Sequence, residues 1–292
     1  MRIRIANHSG FCFGVKRAIK IAQEIRKERK GKVLTLGDLI HNKRVIEELR
    51  KEGIDSVDDI SKINEGTVII RSHGVSPSVI DQLKKKQIEI IDATCPFVKR
   101  IQRLAKKIVD SGYELIIAGD PNHPEIRALI GYTNGEGVII NSLQEIKNLK
   151  KKSRRAIIAQ STQDINFFKE IVSRLIDITN ELRVLNTICD STRIRQKSTS
   201  KLASEVDVMF IVGDKKSSNT NKLFKIAKEI QPKTYFIENA DDIKPEMINS
   251  YEEIGISAGA STPQDLIDEV INKIKGIKTN KCYGERESTW MN

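Results

Sequence analysis

The stretch Thr67–Val98, TVIIRSHGVSPSVIDQLKKKQIEIIDATCPFV, decides how the chain is read. It opens on an apolar run, Thr67–Ile70, that ends in the turn Arg71-Ser72-His73-Gly74. A helical pattern follows over Ser76–Lys86. A second apolar run, Glu89–Ile91, ends in Asp92-Ala93-Thr94-Cys95, and Pro96 suits the first turn of another helix. Short Ile/Val-rich runs alternating with helical patterns predict parallel strands covered on both faces.

The same alternation continues in both directions. Apolar runs lie at Lys32–Leu36, Glu114–Ala118, Gly137–Ile140, Ala156–Ala159, Val206–Val212, Thr234–Ile237 and Ile254–Ala258. Helical patterns lie at Val15–Lys30, Lys43–Glu52, Pro96–Ser111, Gln163–Leu175, Ser217–Ile230 and Pro263–Ile274. The expectation is an α/β fold of right-handed βαβ units with mostly parallel sheets. At 292 residues the chain is too long for one small core. Cys12, Cys95 and Cys189 each fall in a turn shortly before a helix. Their spacings would suit three similar units of about 90 residues. The expected domains are 1–95, 96–188 and 189–280, with 281–292 as a C-terminal tail.

Composition narrows the function classes. Lys and Arg number 50 against 39 Asp and Glu, a net charge of +11, and the excess lies before residue 189. That balance suits nucleic acid, anionic lipid, an acidic protein or a phosphorylated small molecule. With 1 Trp, 5 Tyr and 8 Phe, stacking platforms for single strands are sparse. No run approaches a membrane span, and MRIRIANHSGFCFG lacks an apolar signal core, so a cytoplasmic protein is expected.

Ligands of open α/β sheets sit where strands turn into helices, so those turns carry the functional reading. The three cysteine turns share one setting, and a helix N-terminus favours the negative thiolate. Four inert core fillers are the bland alternative, but Cys282 alone lacks this setting. Three thiolates suggest an iron–sulfur cluster more than zinc, with one iron left open. His41, His73 and His123 all stand at turns, and Glu125 lies two residues beyond His123. Hydroxyls and amides cluster at Ser161-Thr162, Ser217-Ser218-Asn219 and Ser261, where helix N-termini make anion sites. Each alone would be a simple N-cap. Together they suggest a phosphate site beside a metal site.

These segments resemble the LytB/IspH family of 4-hydroxy-3-methylbut-2-enyl diphosphate reductases. The matching stretches are GFCFGVKRAI, GDLIHN, RSHGVSP, DATCPFV, HPE, NTICDSTRIRQ, SSNT and GISAGASTP, in the family's order. The resemblance implies three α/β domains in a trefoil around a 4Fe–4S cluster. Cys12, Cys95 and Cys189 would be its ligands, and its open iron would take the substrate hydroxyl. Glu125, with His123, would relay protons. His41, His73, His123, Ser217, Ser218, Asn219 and Ser261 would clamp the diphosphate. Ser161, where many members carry threonine, and Thr162 would also contact substrate. The implied partners are an allylic diphosphate and a ferredoxin or flavodoxin as electron donor. The protein would be a monomer, with no nucleic acid or membrane partner. A hydro-lyase acting on a phosphorylated small molecule would use the same open metal site without an external reductant. A nucleic-acid-binding module would use the charge but leaves the three cysteine turns unexplained.

Overall fold

The computed structural model describes residues 1–248 and 251–287, the side chains of 278–287 excepted. In chain order the elements are β1 (Arg2–Ile5), α1 (Phe13–Glu28), β2 (Val33–Leu36), α2 (Lys43–Lys51), β3 (Ile54–Val57), β4 (Thr67–Ile70), α3 (Pro77–Lys85) and β5 (Glu89–Asp92). Then come α4 (Pro96–Asp110), β6 (Glu114–Ala118), α5 (Pro124–Tyr132), β7 (Val138–Ile140), β8 (Lys152–Ala159), α6 (Ile165–Ile176) and β9 (Thr179–Val184). The chain continues with α7 (Asp190–Ala203), β10 (Val208–Val212), α8 (Ser218–Ile230), β11 (Thr234–Ile237), β12 (Glu253–Ala258) and α9 (Gln264–Glu287).

The strands form three sheets of four, every pairing parallel: β3-β2-β4-β5, β7-β6-β8-β9 and β11-β10-β12-β1. All three sheets use one order. The first strand of each set lies inside, the second flanks it, and the third and fourth extend the other side. In the last sheet the fourth place is filled by β1, with Ile3 opposite Ile254 and Ile5 opposite Ile256. The segment expected as 1–95 therefore gives its first strand to the C-terminal sheet. The reason is physical: β12 would otherwise expose an unpaired parallel edge.

The chain divides into two compact units, one joining residues 1–12 to those from Ile194 onward, the other running from Phe13 to Arg193. Within the second unit, Ile101, Ala105, Ile126 and Leu129 cover one face of the β6/β8 sheet, and Phe168, Ile171 and Leu175 the other. Within the first unit, Leu266, Ile267, Val270 and Ile274 of α9 pack on Val208, Phe210, Ile254 and Ile256. Leu202, Ala203, Leu223 and Ala227 cover the opposite face of that sheet. Helix α9 runs well past the expected Pro263–Ile274 and enters the segment expected as a tail. The side chain of Cys282 lies outside the described residues.

Each first strand ends in Gly-Asp: Gly37-Asp38, Gly119-Asp120 and Gly213-Asp214. The three glycine N–H groups donate to the second strand of their own sheet: to Val57 at 2.9 Å, Ile140 at 3.0 Å and Ile237 at 2.9 Å. A Cβ there would lie 2.5 Å from Arg71 Nη1, 2.7 Å from Ile126 Cδ1 and 2.8 Å from Thr220 Oγ1, respectively. Gly213 also has a φ of +151°. Gly213→Ala is expected to cost about 1–3 kcal/mol by overpacking. Gly31→Ala, where nothing lies within 4 Å, should stay within about 0.5 kcal/mol. Denaturant titration of both variants checks the contrast.

Candidate active site

The order reversal in each sheet puts two turns side by side at the carboxyl end, where open α/β sheets bind ligands. The turns after the first strands carry His41, His123 and Ser217, each four residues beyond the Gly-Asp glycine. The turns after the third strands carry Ser72-His73, Ser161-Thr162 and Ala260-Ser261. The cysteines follow the fourth strands. Their N–H groups donate to the second residue past the neighbouring third strand: Cys95 to Ser72 O, Cys189 to Ser161 O and Cys12 to Ala260 O, each at 3.0 Å. The three cysteines are thiols, half-buried, each immediately ahead of a helix. In each repeat the cysteine turn is therefore sewn to the turn after the third strand of the same sheet.

Within the Phe13–Arg193 unit three histidines meet. The ring centroids of His41 and His73 are 4.6 Å apart and stacked, and His123 approaches them edge-on at 5.6 and 5.1 Å. Their ligand nitrogens lie within 4.8 Å of one another, a spacing that could also suggest a metal. The local structure of His123 favours an anion instead. It caps α5, its Nδ1 accepting the Glu125 N–H at 3.2 Å. With that lone pair engaged, the neutral ring carries its proton on Nε2 and donates there. Burial, assisted by the neighbouring His41, His123 and Arg71, holds His73 well below its ordinary value. Its Nδ1 has no hydrogen-bond partner in the protein.

Glu125 is 2% exposed, at the start of α5. Ser161 N donates to its Oε1 at 2.7 Å, and Ser161 Oγ lies 2.6 Å from Oε2. Burial pushes the carboxyl up and outweighs the Ser161 bonds that pull it down. A carboxyl raised in this way keeps its proton to higher pH than an ordinary one, which suits a proton donor. Thr162 Oγ1 accepts from Gln160 Nε2 at 2.8 Å.

The unit containing β10 and β12 carries the remaining residues. Ser217 caps α8, its hydroxyl accepting the Thr220 N–H at 3.3 Å. Ser218 opens that helix, and Ser261 is buried in the turn after β12. Asn219 is 3% exposed, yet neither amide atom has a protein partner. Buried amides are normally satisfied, so this one points to a ligand.

Some supporting residues escape a reading of the sequence. Arg195, 2% exposed, donates to Gly10 O at 2.8 Å and braces the Cys12 turn. Arg17 donates to Thr94 O at 3.3 Å beside Cys95. Gln102, buried on α4, leaves its Nε2 unpartnered. The three Gly-Asp pairs are the one signal that could have located such positions, because they repeat at nearly the cysteine spacing.

The two shifted groups make opposite pH predictions. Folding holds the proton of Glu125 above its ordinary 4.5, so its stabilising contribution is intact in acid and lost as pH rises through the raised value. Folding resists protonation of His73, so stability is lost as pH falls below its ordinary 6.5. Thermal melts should show the wild type losing ground to Glu125→Gln as pH rises, and to His73→Asn as pH falls.

A family model described as LytB protein matches residues 3–275. The 4-hydroxy-3-methylbut-2-enyl diphosphate reductase of Aquifex aeolicus (strain VF5) is 44% identical over 291 residues, covering 98% of this chain and 99% of that protein. The protein of the same name from Caldanaerobacter subterraneus subsp. tengcongensis is 43% identical, with 95% and 98% covered. A solved structure of (E)-4-hydroxy-3-methyl-but-2-enyl diphosphate reductase, described as the terminal enzyme of the non-mevalonate pathway, is 45% identical, with TM-score 0.69 and 94% and 99% covered. The E-1-hydroxy-2-methyl-but-2-enyl-4-diphosphate reductase of Plasmodium falciparum is 25% identical, with TM-score 0.87 and 92% and 86% covered. With nearly its whole length matched and identities above 40% to named relatives, the chain belongs to the LytB family.

Proposed function

We propose that the chain reduces 4-hydroxy-3-methylbut-2-enyl diphosphate, the terminal reaction of the non-mevalonate isoprenoid pathway. Two electrons and two protons replace the allylic C–O bond by C–H. Isopentenyl or dimethylallyl diphosphate leaves with one water. The observation that carries this reading onto particular residues is the buried Glu125–Ser161 pair, set two residues from a three-histidine cluster.

The protein's residues fit an iron–sulfur group. Three unbridged thiols, each at a helix N-terminus with its N–H tied at 3.0 Å to an equivalent carbonyl, form a soft donor set. Cys12, Cys95 and Cys189 would hold the 4Fe–4S cluster, and Cys282 would not. When bound, such a cluster supplies electrons and a Lewis-acidic iron that lacks a thiolate.

The other residues bind, orient and protonate. His123 Nε2, with His41 and His73, donates to the diphosphate. The start of α8 offers Ser217, Ser218 and the amide of Asn219 to the same anion, joined by Ser261. His73, whose protonation burial disfavours, suits this task, since an arriving anion can draw a proton onto it. Glu125 releases its proton toward the allylic group, and the Ser161 hydroxyl holds the carboxyl in place. Thr162 lines the same turn. His123 is positioned to carry protons onward. Three α/β domains, close to the expected boundaries but with β1 in the third, remain part of this proposal. So do a cytoplasmic monomer and a ferredoxin or flavodoxin as electron donor.

Two measurements test the reading. Anaerobically purified protein should hold about four irons and four sulfides per chain, as a 4Fe–4S group requires. That content should fall in Cys12→Ser, Cys95→Ser and Cys189→Ser but not in Cys282→Ser. Glu125→Gln should keep iron content and diphosphate affinity yet lose about 100-fold or more of its turnover, the usual worth of a general acid. Near-normal turnover in that variant would remove the proton relay.

A further inference from the structure

Helix α4 has two unlike faces. Val98, Ile101, Ala105 and Ile108 are buried. Phe97, Arg100, Arg103 and Lys107 are exposed. Steps of three, three and four residues set these four along one stripe. The stripe is one wall of a groove of about 600 Å³, and the chain from Val184 to Asp190, Cys189 included, is the other.

The groove's charge is uncompensated. On the same helix Lys99 pairs with Asp92 at 2.6 Å and Lys106 with Asp110 at 2.9 Å. Among the described residues Arg100, Arg103 and Lys107 have no such partner. Asp190, the acid of the groove, is engaged by Arg193. Beside these cations Phe97 is 42% exposed and Val184 46%. An aromatic and an aliphatic side chain in water, ringed by unpaired Arg and Lys, are what a protein interface covers. Exposed, flexible cations suit a carboxylate-rich surface better than a small anion, which needs a closed set of donors.

The location selects the partner. Phe97 stands two residues past Cys95, and Cys189 lines the far wall. Whatever docks here lies against the Cys189 turn and begins two residues past the Cys95 turn, both assigned above to the redox group. We propose that this groove is the docking surface for the electron donor, a small acidic one-electron carrier protein of low potential. The assignment rests on the reductase reading. Two carriers, each oxidised by one electron, would supply the two electrons that, with two protons, turn the alcohol into the hydrocarbon and water. Steering by the basic wall would speed the encounter, and Phe97 would prolong it.

The test uses the holoenzyme and an acidic bacterial ferredoxin, with affinity read by biolayer interferometry at low salt and again at roughly 0.3 M salt, where surface attraction is screened. Arg100→Glu/Arg103→Glu should weaken binding tenfold or more and flatten its salt dependence. Phe97→Ala should raise the dissociation rate severalfold. Lys20→Glu/Lys225→Glu, the same charge change elsewhere, should leave affinity unchanged. All variants should turn over normally with dithionite and methyl viologen. If the wild type fails with that small reductant, the reductase reading falls. If it succeeds but the Arg100/Arg103 reversal binds ferredoxin as the wild type does, the docking assignment falls alone. No measurable ferredoxin binding by the wild type, or a dimer in sedimentation that the reversal dissolves, would also overturn it.

Discussion

One backbone hydrogen bond organises each third of this protein. It runs from a cysteine N–H, at the head of a helix, to a carbonyl two residues beyond the neighbouring strand. The bond recurs at Cys95, Cys189 and Cys12 with the same length. It joins the turn that carries a thiol to the turn that carries a hydroxyl or histidine. Strand length, the Gly-Asp turn and the helix that follows all serve to bring those two turns into register. A shift of one residue in the third or fourth strand would break the link and turn the thiol away.

The chemistry of the site follows from burial placed on that frame. Burial makes His73 resist a proton and makes Glu125 hold one more tightly than an ordinary carboxyl. In the proposed reaction an anion and a proton would then be handled side by side without neutralising each other in advance. The capping bond from Glu125 N–H to His123 ties the two residues together. It fixes which nitrogen of His123 donates, and it starts the helix that carries the carboxyl.

Much of this was legible in the sequence because buried parallel strands read as uninterrupted apolar runs. Strands β2, β4, β8, β10 and β12 stood out for that reason. Strands β1, β3 and β9 did not. RIRI, IDSV and TNELRV are edge strands, partly solvated and charged, and composition cannot separate them from loops. The candidate site residues stood out in the sequence because they cluster in turns and match a family's ordered motifs. Arg195, Arg17 and Gln102 did not, since a helical Arg or Gln reads as surface until tertiary contacts bury it or turn it inward. The Gly-Asp repeat was present in plain letters, but its meaning depends on strand order, which local patterns do not encode.

The borrowed strand of the third sheet gives the chain an unusual schedule. β1 leaves the ribosome about 250 residues ahead of its partner β12. At ordinary rates of synthesis that delay is roughly 10–50 s. Phe13–Arg193 has its two sheets complete long before then. The N-terminal segment, with Cys12 just behind it, must stay unpaired and soluble throughout. The alternating arginines of RIRI serve that wait: they keep a strand that has no partner from finding the wrong one.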